Sequence, residues 1–236
     1  MLTSISKTTI STNFIGEEIM TLIIGARCCD GVVLAADRRY LARYENGPDT
    51  IKLFKLDGGI LLAGAGDTAL LNESRIFIEK RLRDFKDQAS SPTLFDIVEI
   101  TSEVVNELVA RYQGNIEEPF GFAVAGLENV SSGVAKIYTV FSAGLSELPW
   151  VCLGSGSSYA RPIVELLLTK GALTVSEAAK VMAPLFTLVS NVQMTVGGGV
   201  DIASVIDEQG VTEILHRGEV SLESLREAML DVIEKI

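Results

Sequence analysis

The sequence has one histidine, His216, and three cysteines, Cys28, Cys29 and Cys152, with no C-x-x-C pair. That is too few ligands in the wrong spacing for an ordinary metal centre, so no metal and no cofactor is expected. The odd cysteine count and the adjacency of two of them argue against a disulfide framework and for a reducing compartment, which predicts a cytoplasmic protein. No apolar run reaches the roughly 18 residues of a membrane span, so no membrane partner is expected. Basic excess is also missing. A formal net charge of −11 argues against nucleic acid as partner and serves solubility instead. No linker and no internal repeat divides the 236 residues, and 47% hydrophobic content supports one large domain with a sizeable core. His216 reads as a strand-end surface residue.

The first nineteen residues lack the basic start and continuous apolar block of a secretory signal. Residues 1–20 read as a tail, a propeptide or a leader outside the true coding start, and residues 21–236 as a single domain. Gly16-Glu17-Glu18 would be encoded by purine-rich triplets a few bases ahead of the Met20 codon, where a prokaryotic ribosome-binding site stands. Met20 is therefore the expected start. A methionine before a small residue such as threonine is normally trimmed, which leaves Thr21 as the mature N-terminus.

The chain is organised around Thr21 to Arg39, T-L-I-I-G-A-R-C-C-D-G-V-V-L-A-A-D-R-R. Two apolar runs flank Asp30-Gly31, a strong hairpin signal. A threonine heads the first run, and Asp37 ends the second, where a buried carboxylate needs a partner. Ile51 to Leu56 alternates as a strand does, and Ile60 to Asp67 is a strand ending in small residues that invite close backbone approach. Asp67 and Thr68 can cap a helix over about 68–87. Pro92-Thr93 opens a second, with an apolar face from Leu94 to Val109. Strands follow at Phe120–Leu127, Val134–Phe141 and Pro149–Leu153. Helices are predicted over about 158–170 and 176–189, the latter behind a Thr174-Val-Ser-Glu capping box. Val200–Ile206 and Val211–Leu215 are the late strands, and a closing helix begins near Ser221. This order predicts an α+β protein: two antiparallel sheets face to face with helices outside, a four-layer αββα sandwich.

A free Thr21 would carry its own base, since an α-amine has a pKa near 8 and can take the hydroxyl proton. A nearby cation would hold that amine neutral and ease loss of the hydroxyl proton. Lys52 is the candidate, with Asp37 as its carboxylate; the alternative is that Lys52 points to solvent on the polar face of an alternating strand. Ser155, in Gly-Ser-Gly-Ser between strand and helix, either serves a proton relay or caps the helix.

Together these residues resemble a proteasome β-type subunit, one of the N-terminal nucleophile hydrolases, in a divergent prokaryotic, archaeal-type form. Thr21, Gly25, Asp30-Gly31 and Ala36-Asp37-Arg38-Arg39 fit the family's start in order and spacing. Lys52-Leu53-Phe54 resembles its lysine motif, and Ala63-Gly64-Ala65-Gly66-Asp67 its Ala-Gly-x-x-Gly-Asp element, each one residue short. Gly154 to Ser157 matches Gly-Ser-Gly-Ser, and Gly197-Gly198 with Asp201-Ile202-Ala203 resembles its late strand. The resemblance spans about Thr21 to Glu234. It implies the N-terminal nucleophile hydrolase fold and a threonine endopeptidase working through an acyl-enzyme. In that reading Thr21 is nucleophile and base, and Lys52 lowers the hydroxyl pKa. Asp37 pairs with Lys52, Ser155 supports the amine, and the Gly64 N–H faces the oxyanion. The family's carboxylate and serine before the late Gly-Gly are replaced here by Gln193 and Val196. The implied partners are peptide or unfolded protein substrates and a ring of like β-type and α-type subunits. A non-catalytic ring subunit and a stand-alone transpeptidase or peptide ligase are the alternatives.

Overall fold

The computed structural model describes residues 21–42, 45–46, 49–56, 58–86, 92–112, 120–128, 133–168, 173–206, 210–211, 215–217, 223, 226–227 and 230. In chain order these form β1 (Ile23–Cys28), β2 (Gly31–Asp37), β3 (Leu41–Ala42), β4 (Glu45–Asn46), β5 (Leu53–Leu56), β6 (Ile60–Ala65), α1 (Thr68–Lys86) and α2 (Leu94–Arg111). Then come β7 (Gly121–Leu127), β8 (Ala135–Phe141), β9 (Gly144–Leu148), β10 (Trp150–Leu153), α3 (Ser157–Leu168), α4 (Val175–Ser190), β11 (Val200–Ile206), β12 (Gly210–Val211) and β13 (Leu215–Arg217).

Two antiparallel sheets face each other. One runs β10-β1-β2-β11-β12, with β13 also on β11, and the other β5-β6-β7-β8-β9. The residues of β2 explain the layering. All seven are buried, and their side chains alternate between two apolar surroundings. Val33 and Ala35 join the core under α3 and α4 with Ile24, Met182 and Phe186. Val32, Leu34 and Ala36 join the core between the sheets with Leu61, Ile137 and Val205. A third core, around Phe122, Ile97 and Val105, lies between the second sheet and α1 with α2. The result is the four-layer αββα sandwich that the order of elements predicts.

Local signals set the ends of these elements. Asp67 Oδ1 accepts from the Ala69 and Leu70 N–H groups at 2.8 and 3.0 Å and so starts α1. Thr93 with Asp96 and Thr174 with Glu177 form capping boxes on α2 and α4. Asp30, in the β1–β2 turn, accepts from the Val175 N–H at 2.8 Å and ties the hairpin to the head of α4. Gly31 has φ 154°, and a side chain there would run into the Val205 carbonyl on β11.

Three differences from the sequence reading stand out. The strand after Asp49 begins at Leu53, leaving Lys52 just ahead of it. The extra strand β9 pairs with β8 from Ile137↔Leu148 to Phe141↔Gly144, although all five of its residues are exposed. The late strand expected over Val211–Leu215 is two pieces, β12 and β13, with residues 212–214 outside the described set. The closing helix also lies largely outside the described residues, with 223, 226, 227 and 230 helical where described. The leading tail, residues 1–20, lies outside them entirely.

Candidate active site

Thr21 stands two residues ahead of β1's first ladder pair, Ile23↔Ala36. The same register runs β1 back along β2 and brings Asp37, the last residue of β2, alongside the start of the chain. The Leu22 N–H donates to Asp37 Oδ1 at 3.0 Å, and the Asp37 N–H donates to the Leu22 carbonyl at 3.1 Å. The hairpin thus delivers a carboxylate to the residue next to Thr21 by strand pairing alone.

Lys52 arrives from the other sheet. Its Nζ lies 2.7 Å from that same Oδ1, and the two side chains are 3% and 0% exposed. The solvent-facing alternative for Lys52 is therefore not what the fold adopts. The Asp37 carboxylate takes a further hydrogen bond on Oδ2 from the Gly197 N–H at 3.2 Å. One carboxylate therefore collects Leu22, Lys52 and Gly197 from three separate elements. Burial pushes the Asp37 carboxyl up, against the pull of Lys52 and the two backbone donors. Burial also pushes the Lys52 ammonium down, Asp37 opposes that, and the Arg39 cation pushes the same way as burial. A buried ion pair is a costly way to gain stability, because desolvating two charges offsets most of their attraction. A buried lysine perturbed by desolvation and by a specific carboxylate partner marks a candidate functional site.

The far side of Thr21 is made by the β10–α3 turn. The Gly156 N–H donates to the Thr21 carbonyl at 3.1 Å. Gly154 has φ 88°, and a side chain there would strike the Thr21 carbonyl and lie 2.9 Å from Thr21 Cγ2. Ser155 sits between these two glycines. Its hydroxyl lies 2.6 Å from Thr195 Oγ1, so its bond goes to the loop after α4 rather than to the start of α3. The sequence singles out Gln193 and Val196, two residues before Thr195 and one after it, rather than Thr195 itself. Gln193 is half-buried, and its N–H closes the end of α4 on the Val189 carbonyl at 2.8 Å. Val196 is fully buried in the core under α3 and α4. The hydroxyl between them was overlooked because the family pattern directs attention to the flanking positions.

Gly64 is on β6, and its geometry differs from the implied role. The Gly64 N–H donates to the Lys52 carbonyl at 3.0 Å. An oxyanion would have to displace that carbonyl to use it. The small residue is required all the same, since a Cβ would come 2.7 Å from Leu71 Cδ2 and 2.9 Å from the Phe122 ring. Arg39 is a second residue that the sequence reading left without a role. Its Nη1 donates to the Met194 carbonyl at 2.7 Å, and its backbone N–H donates to the Gly197 carbonyl at 2.8 Å. It fastens the 194–197 loop to the end of β2. Thr21 itself is 1% exposed. Among the described residues no cluster of three or more His, Cys, Asp or Glu could hold a metal, and no helix is long and apolar enough to cross a membrane.

A family model for proteasome subunits matches residues 20–205. The chain is 25% identical over 219 residues to a proteasome subunit alpha of Methanococcus maripaludis strain S2, covering 92% of this chain and 80% of that one. It is 27% identical over 207 residues to a proteasome subunit beta 1 of Pyrobaculum arsenaticum, covering 83% and 94%. Among solved structures, an Anbu (Gly-1) mutant from Hyphomicrobium sp. strain MC1 superposes with a TM-score of 0.71 at 20% identity, over 91% of this chain and 95% of that one, a likeness of fold.

Proposed function

The chain belongs to the proteasome subunit family, and we propose that it is of the catalytic kind, a threonine peptidase whose nucleophile and base are the hydroxyl and α-amine of Thr21. Removal of everything up to Met20 frees that amine, and residues 21–236 are the working domain. The hydroxyl attacks the scissile carbonyl and its proton passes to the α-amine; the α-ammonium returns that proton to the leaving amine as the peptide C–N bond breaks, and water then hydrolyses the acyl ester on Thr21. Lys52, held by Asp37, lowers the cost of forming the alkoxide. Ser155 supports the amine. Family members assemble into rings of α and β subunits, and this chain takes a β-type place in such a ring in the cytoplasm, acting on peptides or unfolded protein.

The observation that carries this reading is the buried Lys52–Asp37 pair, tied through one carboxylate oxygen to the amide next to Thr21. A chain with only a scaffolding task would gain more from an apolar pair at that place. Treatment with a peptidyl epoxyketone tests it, because the stable ring adduct needs a hydroxyl and a free amine on one residue. The expected result is one adduct on Thr21, absent in Thr21→Ala at unchanged folding. Retained turnover in Thr21→Ala overturns the assignment.

A passive ring subunit is the second reading, and specific observations favour it: Thr21 is almost wholly buried, the Gly64 N–H is engaged, and Val196 carries no polar group. Intact rings without labelling select that reading. A monomer that transfers the acyl group to an added amine selects the ligase.

A further inference from the structure

We propose that Thr195 is the positioning residue for the Thr21 amine, the hydroxyl support having moved one place along the loop to leave Val196 in the core. This rests on the peptidase reading above. Thr195 Oγ1 is 2.6 Å from Ser155 Oγ, a short hydroxyl pair. Ser155 is placed beside Thr21 by both neighbours, Gly154 packed on the Thr21 carbonyl and Gly156 donating to it. Thr195 is in turn held from three sides. Arg39 grips the carbonyl of Met194, the Val196 N–H donates to the Gln193 carbonyl at 3.1 Å, and Gly197 is tied to Asp37 and to both Arg38 and Arg39 backbone N–H groups. A β-branched threonine on such a loop has few rotamers to lose. Val196, by contrast, sits where a side-chain Cβ at Gly156 would come 2.7 Å from its Cγ2, an apolar place with no use for a hydroxyl.

The direction of the bond follows from the task. Ser155 donates its proton to Thr195 Oγ1, which leaves Ser155 lone pairs to accept from the Thr21 amine. That arrangement favours the ammonium formed when the amine takes the nucleophile's proton. With Thr195 gone, the Ser155 proton is free to point at the amine and disfavour the ammonium. Among the described residues, the charged and titratable groups on the elements that meet at Thr21 are Asp37 on β2 with Arg38 and Arg39 just after it, Lys52 ahead of β5, Asp201 on β11 paired with Arg38, and the Cys152 thiol on β10. All of them stay in place in the variants below.

The test is the pH profile of epoxyketone inactivation of the full chain, for wild type, Thr195→Val, Thr195→Ser and Ser155→Ala. Thr195→Val is expected to inactivate about tenfold more slowly, the size of one lost hydrogen bond, with its acid limb moved to lower pH. Thr195→Ser restores rate and profile, and Thr195→Val adds nothing in a Ser155→Ala background. An unchanged rate, or a slower rate with an unmoved acid limb, overturns the inference and leaves the peptidase reading standing. A wild type that never labels removes both.

Discussion

The two sides of Thr21 are built on different principles. On the β2 side the parts are charged, buried and fixed by sheet register. Asp37 gathers Leu22, Lys52 and Gly197 with no water-facing group among the side chains. On the β10–α3 side the parts are neutral hydroxyls and glycine backbone, half-buried, and set by two loops. A charged pair in the interior tolerates no loose substitution, because removing one partner strands the other. A hydroxyl pair on loops can move by a residue and still meet. That contrast fits a sequence that keeps the Asp37–Lys52 pair, even with the lysine motif one residue short, yet departs from the resembled pattern at Gln193 and Val196.

The comparison breaks most sharply at Lys52. Lys52→Ala leaves Asp37 buried and unpaired, which should cost about 3–5 kcal/mol of stability by denaturant titration and remove labelling of Thr21. Thr195→Val should slow labelling only about tenfold. If both variants lose labelling equally, the two sides are one unit and the contrast fails.

Gly154→Ala probes the glycine wall. Its positive φ and its contact with the Thr21 carbonyl predict a loss of about 2 kcal/mol, read as a lowered denaturant midpoint, with slower labelling because Thr21 must shift. Val196→Ser restores the family's usual residue in a fully buried apolar place. The expected outcome is a loss of about 1–3 kcal/mol with no faster labelling. A rise in labelling rate would show that the loop side is deficient rather than rearranged.

Burial lifts the Cys28 and Cys152 thiols from 9.0 to about 12. A raised folded value means that stability is fully present below pH 9 and is lost as pH rises from 9 through about 12, when the unfolded chain ionises first. Denaturant midpoints across that range check this. At neutral pH iodoacetamide should modify exposed Cys29 and spare the other two, so Thr21 labelling can be read against a quiet thiol background.

Much of the fold was legible because it rests on local signals. Asp30-Gly31 marks the hairpin, the Thr174 capping box marks α4, and the apolar runs of β1 and β2 mark strands buried on both faces. The strand β9 was not legible. Gly144-Leu-Ser-Glu-Leu148 has no buried face to impose a pattern, and only its ladder with β8 makes it a strand. Lys52 could be nominated from the residues but not placed, since its burial comes from the approach of a second sheet. Thr195 and the engaged Gly64 N–H lay beyond sequence altogether, because each depends on which hydrogen-bond partner the tertiary fold supplies.

The account turns on one residue having a free amine and a hydroxyl at the same time. Intact and peptide mass spectrometry of the native protein, before and after epoxyketone, measures this directly. The account predicts a chain that begins at Thr21 and gains one adduct there. A chain that keeps Met20 joined to Thr21, or one that begins at Thr21 and gains no adduct, contradicts it.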